Sequence, residues 1–165
     1  MADGADDLTE AIEIDGVGHA VLWAVRAFVV GRGECAVVRR LFQDLCGPAA
    51  DETLTTLFLA VKLLAFRSQR RLRIHLPGCR CVSGDELTLL AAVAAAREPT
   101  GGTGAAPLDR WLSRLSGTAP DSSLIRAFEA VGELLAAAGC EVSIGAPGDW
   151  QTRRGYGAPP GATLH

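Results

Sequence analysis

DETLTTLFLAVKLLAFRS, residues 51–68, is the stretch on which the fold turns. Leu54, Leu57, Phe58, Val61, Leu64 and Ala65 recur at steps of three and four, the period of an α-helix, and they cover most of its circumference. A helix apolar on so many sides has to be covered by other helices, so this one predicts a central element in a bundle. Asp51 is placed to cap its start, and Gly47-Pro48 separates it from what comes before. Lys62 interrupts the apolar run, which also falls short of the roughly 20 residues that span a bilayer. Leu87 to Ala96 is shorter still, so no membrane insertion is expected.

Working upstream, Val37, Val38, Leu41, Phe42 and Leu45 set against Arg39, Arg40 and Asp44 predict an amphipathic helix over about 34–45. Val21, Val25, Phe28 and Val29, at i, i+4, i+7 and i+8, predict another, widened by Leu22 and Trp23 and ended by Gly31 and Gly33. Residues 1–16 carry Asp3, Asp6, Asp7, Glu10, Glu13 and Asp15 and little that builds a core, so they read as a flexible acidic arm, with the domain starting at Val17.

Downstream, RLRIHL at 71–76 alternates Leu72, Ile74 and Leu76 with Arg71, Arg73 and His75, the period-two pattern of a short strand. Ser83 followed by Glu86 is a capping box, in which each side chain satisfies an unpaired backbone donor, and it opens a helix to about Arg97. EPTGGTGAAP is a loop; its glycines do not follow a strand, as those of a phosphate-binding loop do. A short helix over 108–115 follows, and then Asp121 or Ser122 caps a last helix with Leu124, Phe128, Val131 and Leu135 on one face and Gly139 at its end. CEVSI at 140–144 alternates again and is expected to pair with 71–76. The expected fold is mainly α: a compact bundle of five to six helices in one domain over 17–144, with a minor two-stranded ribbon. Residues 145–165, with five glycines and three prolines, are read as a tail.

The chain has 165 residues, room for one core, and fifteen of its sixteen basic residues are arginine. With so much alanine, that bias reflects GC-rich codons, and a net charge of −3 argues against a general polyanion binder. The first residues are acidic with no basic ones, unlike a secretory or transit signal, and five cysteines read as thiols of a reducing compartment, so a cytoplasmic location is expected.

HLPGCRCVSGDE places His75, Cys79 and Cys81 within seven residues, just ahead of the capped helix. Two thiolates and an imidazole suit zinc or another thiophilic metal, but a tetrahedral site needs a fourth ligand, which Cys140 would supply if 140–144 paired with 71–76. The same pair suits redox chemistry, since neighbouring arginines and a helix N-terminus stabilise thiolates. Against both stands a purely structural turn, and no cofactor is expected. Cys35, Cys46 and Cys140 equally suit a core, where free cysteine acts as a small apolar residue. The run PGCRCVSGDELTLL, Pro77 to Leu90, resembles a pattern of small uncharacterised proteobacterial helical proteins, in which a cysteine pair precedes a helix opening S-x-D/E-E-x-x-L-L. The resemblance covers fourteen residues and implies a helical fold without a particular activity.

Between Lys62 and Arg80 lie Arg67, Arg70, Arg71, Arg73 and Arg80 with no acid among them, a surface for an anion, an acidic partner or the acidic arm, or a solvated face. Only Phe66 is interleaved with them, so nucleic acid is not the expected partner. The three histidines, His19, His75 and His165, belong to no G-x-S-x-G, H-E-x-x-H or paired-carboxylate arrangement, and an enzyme is not expected. Trp150, Arg153, Arg154 and Tyr156 give the tail residues that anchor interfaces. Together these features favour a non-enzymatic helical module that binds a protein partner or itself. A thiol sensor or metal-binding protein built on Cys79, Cys81 and His75 is the alternative.

Overall fold

The computed structural model describes residues 14–97, 107–144 and 162–164, and the expected helical bundle is what it shows. Six α-helices, α1 (Gly16–Val29), α2 (Ala36–Cys46), α3 (Ala50–Arg67), α4 (Gly84–Ala95), α5 (Leu108–Ser116) and α6 (Ser122–Ala137), surround one core. Two three-residue strands, β1 (Leu72–Ile74) and β2 (Ala162–Leu164), and a 3₁₀ turn over Gly47–Ala49 complete the described elements. Among the described residues no helix is long and apolar enough to cross a membrane.

α3 packs against α1, α2, α5 and α6, as its apolar circumference requires. It is nevertheless not the most enclosed element, since Leu59, Lys62 and Phe66 line an outer face. That place belongs to α4, where every residue from Glu86 to Val93 is buried under α1, α5, α6 and β1. Its alanines let neighbouring backbones come close. α6 does so at Gly132, where an added Cβ would lie 2.7 Å from the carbonyl carbon of Ala96.

The starts of α1, α4 and α6 carry side-chain caps, and two expectations about helix starts are corrected. Asp15, assigned from composition to the acidic arm, is the N-cap of α1, its Oδ1 accepting from Gly18 N–H at 2.7 Å, so the fold reaches back to Ile14. Asp51 does not cap α3: a 3₁₀ turn over Gly47–Ala49 runs straight into the helix, and Asp51 sits in its first turn, where a carboxylate favours the helix dipole. Asp121, not Ser122, caps α6, and the Ser83–Glu86 capping box is formed in full.

The expected ribbon forms with a different partner. Leu72–Ile74 pairs antiparallel with Ala162–Leu164, in the register Leu72↔Leu164, Arg73↔Thr163 and Ile74↔Ala162. Residues 140–144 pair instead with the start of the fold: Ile144 bridges Ile14, Asp15 N–H donates to Ser143 O at 3.2 Å, and Ser143 N–H donates to Asp15 Oδ2 at 2.8 Å. Alternation announced both extended segments, but a period of two carries no information about which strand a segment meets.

Candidate functional site

β1, the turn after it and the first turn of α4 form one unit, organised around a buried carboxylate. Glu86, the third residue of α4, is fully enclosed, and five donors converge on it. Oε1 accepts from Arg26 Nε at 2.6 Å and from the His75 backbone N–H at 3.0 Å. Oε2 accepts from Arg26 Nη2 at 3.0 Å, from His75 Nδ1 at 2.8 Å and from Ser83 N–H at 2.8 Å. An ionised carboxylate requires His75 to carry its proton on Nδ1. Burial alone would push the Glu86 carboxyl up. The hydrogen bonds from Arg26, His75 and Ser83, with the charge of Arg26, outweigh it and hold the group below the usual carboxylate range.

Arg26 comes from α1 and is itself only 6% exposed. It also donates to the turn, from Nη1 to the carbonyl of Cys79 at 2.7 Å and from Nη2 to the carbonyl of Cys81 at 2.6 Å. One guanidinium therefore clamps helix α1, helix α4 and the cysteine turn together, and its planar fork suits that task better than an ammonium. The hydrogen bonds that Arg26 and Glu86 make join α1, β1, the turn and α4, so what this node does is fix the turn and the strand leading into it. Ser83 adds to the same work, accepting from Glu86 N–H at 3.1 Å while its hydroxyl donates to the carbonyl of Arg73. Ser83→Ala is expected to cost about 1–2 kcal/mol by urea denaturation, because it removes a cap and strands two backbone groups.

The expected site residues are brought together only in part. The backbones of Cys79 and Cys81 meet at Arg26, with both residues half-buried, and His75 is turned onto Glu86. Cys140 stands elsewhere: its thiol donates to the carbonyl of Leu45 at 3.3 Å, beside Cys46 at the end of α2. Burial, and then the neighbouring Cys140 thiol, push the Cys46 thiol up to about 11. Among the described residues no three histidine, cysteine or acidic side chains are gathered to hold a metal ion. Arg26 is the member that sequence reading missed. A lone arginine inside an otherwise apolar helix face, between Val25 and Ala27, was the signal for a buried ion pair.

The basic stretch divides. Arg67 pairs with Asp121 at 3.0 Å, and Arg70 pairs with Asp85 and donates from Nε to the carbonyl of Arg114 at 3.1 Å. Arg71, Arg73 and Arg80 are exposed, and no carboxylate among the described residues meets their side chains. Trp150, Arg153, Arg154 and Tyr156 lie outside the described residues.

β1 has two edges in different use. Arg73 N–H donates to Asp85 Oδ2 at 2.7 Å, the Arg73 carbonyl accepts from Ser83, and His75 N–H donates to Glu86. One edge is therefore closed by side chains of α4 and its cap. Strand alternation turns the backbone groups of Leu72 and Ile74 to the other edge, where β2 lies, also against α1. No protein-family model matches the chain, and no curated protein or solved structure matches it.

Proposed function

We propose that this protein is a helical interaction module that binds an extended segment of a protein partner by strand addition at the outer edge of β1. The observation that carries the reading is the antiparallel pairing of Leu72–Ile74 with Ala162–Leu164. A strand whose far edge is closed by Asp85, Ser83 and Glu86 offers its remaining donors and acceptors in one direction only. Main-chain hydrogen bonds at such an edge supply affinity, and alternate positions of the incoming segment supply selectivity. The buried Arg26–Glu86 pair gives the edge a rigid back. The ladder formed within the chain is three residues long, which is marginal for a two-stranded ribbon, so the chain's own segment acts as an exchangeable placeholder. After Ile74 the alternation breaks, with His75 buried and Leu76 51% exposed, so Leu72 and Ile74 are the two inward residues of this edge. A thiol-centred reading has less behind it, because His75 spends Nδ1 on Glu86 and Cys140 stands beside Leu45 and Cys46.

The test uses the full chain with Ala162→Pro and Leu164→Pro, which removes the N–H donors facing Leu72 and Ile74. A fluorescent peptide of residues 157–165 is expected to bind this variant saturably, and about fivefold or more weakly to the unmodified chain, whose own segment competes. Amide exchange at Leu72 and Ile74 should quicken in the variant and slow again with peptide. Unchanged exchange and no peptide binding would remove the proposal.

A further inference from the structure

From the charges beside this edge we infer the class of segment it takes: an extended peptide alternating apolar and acidic residues, with the acids opposite Arg73 and Arg71. The inference rests on the strand-addition reading and adds to it. Leu72 and Ile74 are buried on the inner face of β1, so Arg71 and Arg73, at alternate positions, lie on its solvent face. Their neighbours in the basic stretch are paired within the fold, Arg67 with Asp121 and Arg70 with Asp85, whereas the side chains of these two meet no carboxylate among the described residues. Asp85, which meets the Arg73 backbone, does not compensate their side chains. Asp85 faces the closed edge, where its oxygens are taken by the Arg70 guanidinium and the Arg73 N–H.

The register then fixes where a ligand's charges fall. The position opposite Arg73 holds Thr163 in the chain's own segment, a neutral residue, and a ligand that carries the same register one step past the residue facing Leu72 meets Arg71. Positions 162 and 164 stand opposite the inward Ile74 and Leu72 and call for apolar residues. Directly opposed residues on antiparallel strands lie close enough for opposite charges to stabilise the pair and for like charges to oppose it. A segment of the pattern apolar–acid–apolar–acid therefore satisfies the edge better than the placeholder does, and displaces it.

The experiment measures fluorescence anisotropy on the full chain with Ala162→Pro and Leu164→Pro, at low salt, with three peptides: Gly-Ala-Thr-Leu-Thr, Gly-Ala-Glu-Leu-Glu and Gly-Ala-Lys-Leu-Lys. The glutamate peptide is expected to bind about tenfold more tightly than the threonine peptide and the lysine peptide more weakly. Adding Arg71→Ala and Arg73→Ala should erase the differences while keeping the threonine peptide's affinity, since both side chains face solvent. Equal affinities of the three peptides overturn the acidic preference and leave strand addition standing. Binding by none of them overturns strand addition itself.

Discussion

Glu86→Ala is expected to lower the unfolding free energy by about 3–5 kcal/mol, a large part of the 5–15 kcal/mol that holds an ordinary domain together. The cost does not come from losing an attraction alone. It comes from what is left: the Arg26 guanidinium, 6% exposed, would remain in the core without its counter-charge, and His75 and Ser83 would lose the acceptor for their backbone N–H groups. Arg26→Ala is expected to cost as much for the mirror reason, a bare carboxylate in the same place, together with release of the Cys79 and Cys81 carbonyls. Replacing both at once, Arg26→Met with Glu86→Leu, should cost clearly less than the sum, because no unpaired charge remains. A double-mutant cycle by urea denaturation that showed simple additivity would mean that the two groups do not act as a pair.

The same node gives the protein an acid limb of known sign. Glu86 has a folded-state pKa below its unfolded value of about 4.3, so the unfolded chain binds its proton first as pH falls. Its contribution is complete above the unfolded pKa and is lost as pH drops through the folded one. Glu86→Gln, which cannot ionise, should flatten the stability profile in that window.

How much of this was legible in the chain depends on whether a feature is local. The capping box at Ser83 and Glu86 was readable because both partners lie within one helical turn, and so were the helix faces, whose period is written in consecutive residues. The partner of Arg26 lies sixty positions away, and nothing in the spacing of a lone arginine names Glu86. The same limit explains the strand pairing. Alternation at 71–76 and 140–144 marked two extended segments with equal strength, and it was their three-dimensional neighbours, α4 on one side and Ile14 on the other, that sent them to different partners. The basic stretch misled in a smaller way. Its acids are absent from the sequence between 62 and 80 but arrive in space as Asp85 and Asp121, which take Arg67 and Arg70 out of the run and leave Lys62, Arg71, Arg73 and Arg80 with the character that it suggested.

Gly132→Leu is expected to prevent the native packing of α6 on α4, and Gly132→Ala to destabilise by about 1–3 kcal/mol. Helix propensity alone predicts the reverse for alanine, since glycine in a helix interior is less favourable than alanine by roughly 0.5–1 kcal/mol. Geometry decides against propensity here. A Cβ on residue 132 would sit 2.7 Å from the carbonyl carbon, 2.8 Å from the carbonyl oxygen of Ala96 and 2.9 Å from the nitrogen of Arg97. Those atoms are backbone at the end of α4, so no side chain can swing aside and one helix has to move. Moving α4 outward at this end opens the core around Val93 and Val131, both buried, and strains the other end of the helix, where Glu86 is held by five hydrogen bonds. Ala130→Gly, on the same helix but half-buried, supplies the comparison: it should cost only the ordinary propensity difference. Thermal unfolding of the three variants by circular dichroism should therefore rank Ala130→Gly as the mildest. If Gly132→Ala proved more stable than the unmodified chain, the close crossing of α4 and α6 would be wrong.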